Sequence, residues 1–151
     1  MVCLGNICRS PLAEGVLQQK ALNAGLQWNV DSAGTNSHVN EPPHPLSQKV
    51  AKLHGIDISR QRARYFVAAD FDRFDKIYAL SVDVLEEIRW ISKNKFDKRK
   101  VDLLMNEVYP GSDLDVPDPY YGEGDGFERV LDHVQAACAG LLAQIRAGEL
   151  R

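Results

Sequence analysis

The stretch Cys3-Leu4-Gly5-Asn6-Ile7-Cys8-Arg9-Ser10-Pro11 restricts this chain more than any other part of it. A cysteine and an arginine bracket five residues, and Ser-Pro then opens a helical pattern. A loop this short curls so that its backbone N–H groups converge on a single oxyanion. Gly5 is suited to the positive φ such a curl needs, and Asn6 tolerates it better than most residues. Ser10 reads as a helix N-cap and Pro11 as the first helical residue, so the loop runs onto the positive end of a helix. A phosphate there meets N–H donors and the helix dipole together, and Arg9 adds a planar fork matched to two of its oxygens. The same groups favour a thiolate on Cys3, at the floor of the cradle and behind the phosphorus.

Downstream, helix-like and strand-like patterns alternate. Residues 10 to 25 predict a helix on Leu12, Ala13, Val16, Leu17, Ala21 and Leu22, ended by Gly25. Trp28-Asn-Val30 begins a strand that runs into Asp31-Ser-Ala-Gly34, and a proline-rich loop follows from 35 to 45. A helix over 45–54 turns Val50, Ala51 and Leu53 inward, and a helical turn falls at 68–71. A strand at 75–81 precedes a helix at 82–91, with Val84, Leu85, Ile88 and Ile91 inward. The last strand is 101–105, and a loop covers 107–118. In the closing helix, 127–146, Phe127, Val130, Leu131, Val134, Cys138, Leu141, Leu142 and Ile145 recur every three and four residues. This alternation specifies an α/β fold, a parallel sheet between helical layers, in one domain spanning 1–151. In such sheets ligands bind at the edge where the strand carboxyl ends open.

The formal net charge of −3 argues against nucleic acid or an anionic membrane as a general partner. No apolar run approaches the ~20 residues that span a bilayer, which argues against membrane insertion. Cys3, Cys8 and Cys138 are too few for a disulfide scaffold, and the expected setting is the cytoplasm. Cys3 and Cys8 share one tight loop, where a reversible bridge is geometrically conceivable, whereas Cys138 reads as core. His38 and His44 have no third ligand at matching spacing, so no metal is expected. Arg60, Arg62, Arg64 and the basic run Lys93–Lys100 read as solvated faces. Asp118-Pro119-Tyr120-Tyr121-Gly122 is by itself a turn. Beside a Cys-x5-Arg loop it also offers a carboxyl group next to tyrosine surface that excludes water, which suits general acid catalysis.

Residues 3 to 14 resemble the amino-terminal signature of the low-molecular-weight protein tyrosine phosphatases. Asp31-Ser-Ala-Gly-Thr35, Gly55-Ile-Asp57, Arg62-Ala-Arg64 and Asp118–Gly122 resemble later family landmarks in the right order. The resemblance implies a three-layer α/β/α sandwich with a four-stranded parallel sheet of order 2-1-3-4. It implies hydrolysis of phosphotyrosine in protein substrates through a cysteinyl-phosphate, without metal or organic cofactor. Cys3 would be the nucleophile and Asp118 the acid. Leu4, Gly5, Asn6, Ile7, Cys8, Arg9 and Ser10 would form the phosphate loop, with Ser10 orienting the thiolate. Tyr120 and Tyr121 would wall the substrate ring, and Cys8 would protect Cys3 from over-oxidation.

Ile7 is apolar where phosphoarginine-selective relatives carry Thr, which favours phosphotyrosine. Arsenate reductases of this fold relay oxidation to further cysteines after the third strand, and residues 75–100 contain none. Three departures set the remaining alternative, a catalytically impaired phosphoprotein-binding module, and a fourth, at Ser81, bears only on a supporting hydrogen-bond network. Ser37 precedes His38 where the family carries an aromatic cleft wall. His44 and Leu46 replace an Asp and an Arg. Ser81 replaces an acidic residue. Only Met1 and Val2 precede Cys3 where the family has a longer apolar strand, so the native strand is expected to begin further upstream.

Overall fold

Four short apolar segments pair side by side: β1 (Val2–Cys3), β2 (Ala33–Gly34), β3 (Ile77–Ala79) and β4 (Val101–Leu103). All pairs are parallel and the order is β2-β1-β3-β4, as the resemblance implies. Val2 lies opposite both Ala33 and Ala79, and Cys3 opposite Gly34, so β1 is a central strand. The computed structural model describes residues 1–36, 38–119 and 125–146.

Parallel strands need crossovers, and the helices supply them. They are α1 (Arg9–Asn23), α2 (Pro45–Leu53), α3 (Asp70–Arg73) and α4 (Val82–Ser92), and α5 (Gly126–Arg146) follows the last strand. The pleat sends alternate residues to opposite faces. Cys3 and Tyr78 join Leu12, Val16, Val50, Val130, Val134 and Leu141 in a core shared with α1, α2 and α5. Val2, Ile77 and Ala79 join Phe71, Val84 and Ile88 in a second core with α3 and α4. These two cores and the sheet make the three layers. No helix among the described residues is long and apolar enough to cross a membrane.

Four local expectations are corrected. Helix α1 starts at Arg9, with Cys8 as its N-cap residue, so Ser10 lies inside the first turn rather than capping it. Leu22 and Leu53 are 61% and 68% exposed. In α2 the buried stripe is Ser47, Val50 and Ala51, and Leu53 falls past its edge. The strand expected from Trp28 pairs only at Ala33–Gly34, where Met1 provides a partner: Ala33 N–H donates to Met1 O (3.0 Å) and the Met1 amino group to Asp31 O (3.0 Å). Burial pushes the pKa of that amino group down.

Candidate active site

The loop between β1 and α1 is held from outside by its carbonyls. Thr35 N–H donates to Cys3 O (3.0 Å), Asn36 N–H to Leu4 O (2.8 Å), His38 N–H to Gly5 O (3.4 Å) and His44 N–H to Ile7 O (2.7 Å). Ser47 Oγ donates to Cys8 O (3.2 Å). Across a planar trans peptide, C=O and N–H point in opposite directions. Carbonyls drawn outward to the 35–47 segment therefore turn the following N–H groups inward. The Asn6 N–H, which follows Gly5 O, does so and donates to Cys3 Sγ at 3.3 Å.

Of the two residues suited to a positive φ, the reversal of the chain falls on Asn6 (φ 57°) and not on Gly5. Asn6 tolerates the left-handed region and its side chain is then available to brace the loop. At Gly5 a Cβ would meet the exposed His38 ring at 3.3 Å, a tight contact that the ring can relieve by moving. Gly34 is under a stronger constraint of the same kind, since its Cβ would lie 2.7 Å from Leu4 O.

The proton order around the sulfur follows from Asn6. A backbone N–H can only donate, so the Arg64 N–H contact (3.1 Å) fixes which amide atom is Oδ1. Nδ2 must then donate to Ser10 Oγ (2.7 Å) and Ser32 Oγ (2.9 Å). Ser10 Oγ accepts from Asn6 and lies 3.0 Å from Cys3 Sγ, where either atom can donate. A thiolate on Cys3 would take the Ser10 proton and so receive two donors, with the Asn6 N–H as the other. The Ser10 hydroxyl faces the sulfur from inside the first turn of α1. No side chain caps α1, and the orphan N–H groups of a helix's first turn suit an anion.

Arg9, the first residue of α1, is 6% exposed. Its Nη1 donates to Val116 O (3.0 Å) and its Nη2 lies 3.6 Å from Asp118 Oδ2. Asp118 is half-buried, so the structure brings Cys3, Arg9 and Asp118 to one place at the carboxyl edge of the sheet. Tyr120 and Tyr121, the expected substrate wall, lie outside the described residues. Cys8 is buried, and its thiol is pushed up to about 12 by burial and then by the negative charges of Cys3 and Asp118.

Several supporting residues escaped the sequence reading. Arg64 is no solvated cation: its Nε donates to Asp31 Oδ2 (3.1 Å) and its Nη1 to Asp70 Oδ2 (3.0 Å), which anchors the backbone that pins Asn6. The alternating arginines hid this, because charge alone does not distinguish a surface arginine from one facing two aspartates. Val116 acts through its carbonyl, which leaves no mark in a sequence. Where Ser81 replaces an acid, Asp115 Oδ1 accepts the Val82 N–H (2.8 Å) and brings a carboxylate to the start of α4. His44 caps α2, its Nδ1 accepting the Leu46 N–H (3.1 Å), and packs on Phe127 at 4.9 Å. Among the described residues no three His, Cys, Asp or Glu side chains gather as metal ligands would.

A family model for low molecular weight phosphotyrosine protein phosphatase matches residues 1–150. A low molecular weight protein-tyrosine-phosphatase of Streptomyces coelicolor is 44% identical, with 96% of this chain and 91% of that protein covered. The crystal structure of YfkJ from Bacillus subtilis superposes with a TM-score of 0.88 at 36% identity, covering 98% and 93% of the two chains. A Drosophila arginine phosphatase superposes with a TM-score of 0.88 at 32% identity, covering 96% and 95%. With a match over nearly its whole length and a loop that folds around the Cys3 sulfur, this chain belongs to the low molecular weight phosphotyrosine protein phosphatase family.

Proposed function

We propose that the chain hydrolyses phosphotyrosine in proteins by double displacement on Cys3. The observation that carries this reading is the loop whose Cys3, Leu4, Gly5, Ile7 and Cys8 carbonyls are bonded from outside, while the Asn6 N–H donates to Cys3 Sγ and Ser10 Oγ lies 3.0 Å from it. Cys3 Sγ attacks phosphorus, and the inward N–H groups and Arg9 hold the three equatorial oxygens of the loose transition state. The bond from phosphorus to the phenolic oxygen breaks as Asp118 gives that oxygen its proton. The Arg9–Asp118 contact suits this role. It sets the carboxyl group beside the guanidinium that would hold the phosphate. Once the phenol leaves, the Asp118 carboxylate takes a proton from the water that attacks the cysteinyl-phosphate. Inorganic phosphate departs and the thiolate is restored. Asn6 holds the loop in shape, and Tyr120 and Tyr121, outside the described residues, are the proposed wall for the ring of the substrate.

Phosphoarginine is the second reading, raised by similarity to the Drosophila arginine phosphatase. Ile7, half-buried against the core and without a hydroxyl, supports phosphotyrosine. The cytoplasm is the setting in which a catalytic thiolate stays reduced. The test is turnover of p-nitrophenyl phosphate, phosphotyrosyl peptide and phosphoarginyl peptide by purified protein. The expected result is hydrolysis that vanadate inhibits and chelators do not, with phosphotyrosine preferred. Cys3→Ser should lose turnover and keep tungstate binding. Phosphopeptide binding without hydrolysis would instead make the chain a binding module, and faster phosphoarginine hydrolysis would select the second reading.

A further inference from the structure

The hydrogen bonds that hold the Cys3 sulfur do not end at Asn6. Its second amide proton goes to Ser32 Oγ (2.9 Å), and Ser32 Oγ donates in turn to Glu14 Oε1 (2.7 Å). Because the Asn6 amide occupies a lone pair of Ser32 Oγ, the single Ser32 proton needs an acceptor on the far side. Glu14, half-buried on α1, is that acceptor. We propose that Glu14 is a positioning residue for the nucleophile, acting through Ser32, Asn6 and Ser10. With Glu14 Oε1 absent, nothing holds the Ser32 hydroxyl with a lone pair toward Asn6 Nδ2, so the amide loses one of its two anchors and its hold on Ser10 Oγ beside the sulfur loosens.

The inference rests on Cys3 being the nucleophile, and it makes a prediction opposite in sign to plain electrostatics. A carboxylate near a thiolate disfavours it, so by charge alone every neutral replacement of Glu14 would make Cys3 more reactive. The relay requires reach instead. Glu14→Gln keeps an oxygen at the same distance from Ser32. Glu14→Asp keeps the charge but falls one methylene short.

The experiment measures the rate of Cys3 alkylation by iodoacetamide at pH 7, read by mass spectrometry on the Cys3 peptide, together with kcat and KM for p-nitrophenyl phosphate. Glu14→Ala and Glu14→Asp should each slow alkylation and lower kcat about tenfold, the worth of one charge-assisted hydrogen bond, with KM within about twofold. Glu14→Gln should stay within about threefold of the unaltered protein. Glu14→Ala added to Ser32→Ala should cost nothing beyond Ser32→Ala alone, because both cut one chain. Faster alkylation in Glu14→Ala, a Gln variant as slow as the Ala variant, or additive losses would each overturn the proposal. Should Glu14→Ala fail to fold, the Gln and Asp pair decides it. If the unaltered protein neither turns over nor alkylates Cys3 faster than an unfolded-chain thiol, the nucleophile reading falls and the relay with it. If the unaltered protein does both and the variants fail to split, only the role of Glu14 falls.

Discussion

Gly34→Ala tests whether the strand beside the loop sets the geometry of the oxyanion donors. The new Cβ would lie 2.7 Å from Leu4 O, 3.0 Å from Asn6 N and 3.1 Å from Asn6 Cβ. Ordinary contact begins near 3.4 Å, so something must move by about 0.7 Å. Neither side yields easily. Leu4 O is bound to Asn36 N–H, and Asn6 is held by Arg64, Ser10 and Ser32. Gly34 itself bonds Arg64 O through its N–H (2.9 Å) and Phe66 N–H through its carbonyl (2.8 Å). Overpacking against two backbone segments falls at the upper end of the usual range, about 3 kcal/mol. At ~2–4 °C per kcal/mol for a chain of this size, Tm should drop by roughly 6–12 °C. A misplacement approaching 1 Å at the reacting centre costs up to ~100-fold, so kcat should fall between about tenfold and 100-fold. The control is Gly25→Ala, at φ +74° with nothing within 4 Å of the new Cβ. Left-handed strain there costs ~1–2 kcal/mol and leaves the site alone. Thermal unfolding and p-nitrophenyl phosphate kinetics, assayed well below both midpoints, separate the two. If Gly34→Ala keeps full kcat while losing as little stability as Gly25→Ala, β2 does not govern the loop.

Three further outcomes follow from the same geometry. Asp118→Asn should slow hydrolysis of phenyl phosphate by ~100-fold or more and that of esters with acidic leaving groups much less, and uniform slowing across a leaving-group series would place the proton donor elsewhere. Cys8, with its thiol pushed up to about 12 by burial, stays protonated at neutral pH. Peroxide should therefore oxidise Cys3 to a sulfenic acid, which Cys8 resolves as a disulfide with loss of water. Dithiothreitol should restore activity in the unaltered protein but not in Cys8→Ser, and equal recovery in both would remove Cys8 from that role. For Asp70, burial raises the carboxyl pKa, but hydrogen bonds from Arg64, the Val67 N–H and Arg73 outweigh it and hold it below the ordinary value. A depressed acid stabilises the fold above its unfolded value, ~3.9, and loses that contribution as pH falls through the folded value. The stability gap between the unaltered protein and Asp70→Asn, from urea unfolding, should be widest near neutrality and narrow below about pH 4. A constant gap would mean that the pairing is not linked to folding.

Helix α5 was legible because its whole inward face is apolar at helical spacing, and nothing in tertiary packing competes with so long a pattern. The sheet was legible as alternation, but not in length. The Trp28 strand looked longer than its paired part because sequence shows β character and not whether a neighbour is there to bond. Inside the loop, Cys3, Arg9 and Asp118 could be named from residue type alone. What could not be read was the direction of each peptide plane. That is set by which distant N–H groups donate to the loop's carbonyls, and those lie some thirty to forty residues away.

That last point bears on the altered positions around the cleft. His38 and His44 stand in a segment where the family's side chains differ, yet both grip the loop by backbone N–H, on Gly5 O and Ile7 O. A backbone donor survives any substitution except proline. The bowl that turns the N–H groups inward is therefore insulated from the changes at His44 and Leu46, and the start of α4 receives its carboxylate from Asp115 in place of Ser81. His44 caps α2 and packs on Phe127, and Leu46 is exposed, so neither side chain bonds the sulfur, and these departures should appear as altered KM and altered preference among phosphoproteins. Returning Leu46 to Arg should shift KM and leave the Cys3 alkylation rate where it was. A large change in that rate would mean that the side chains, and not the backbone of 35–47, shape the loop.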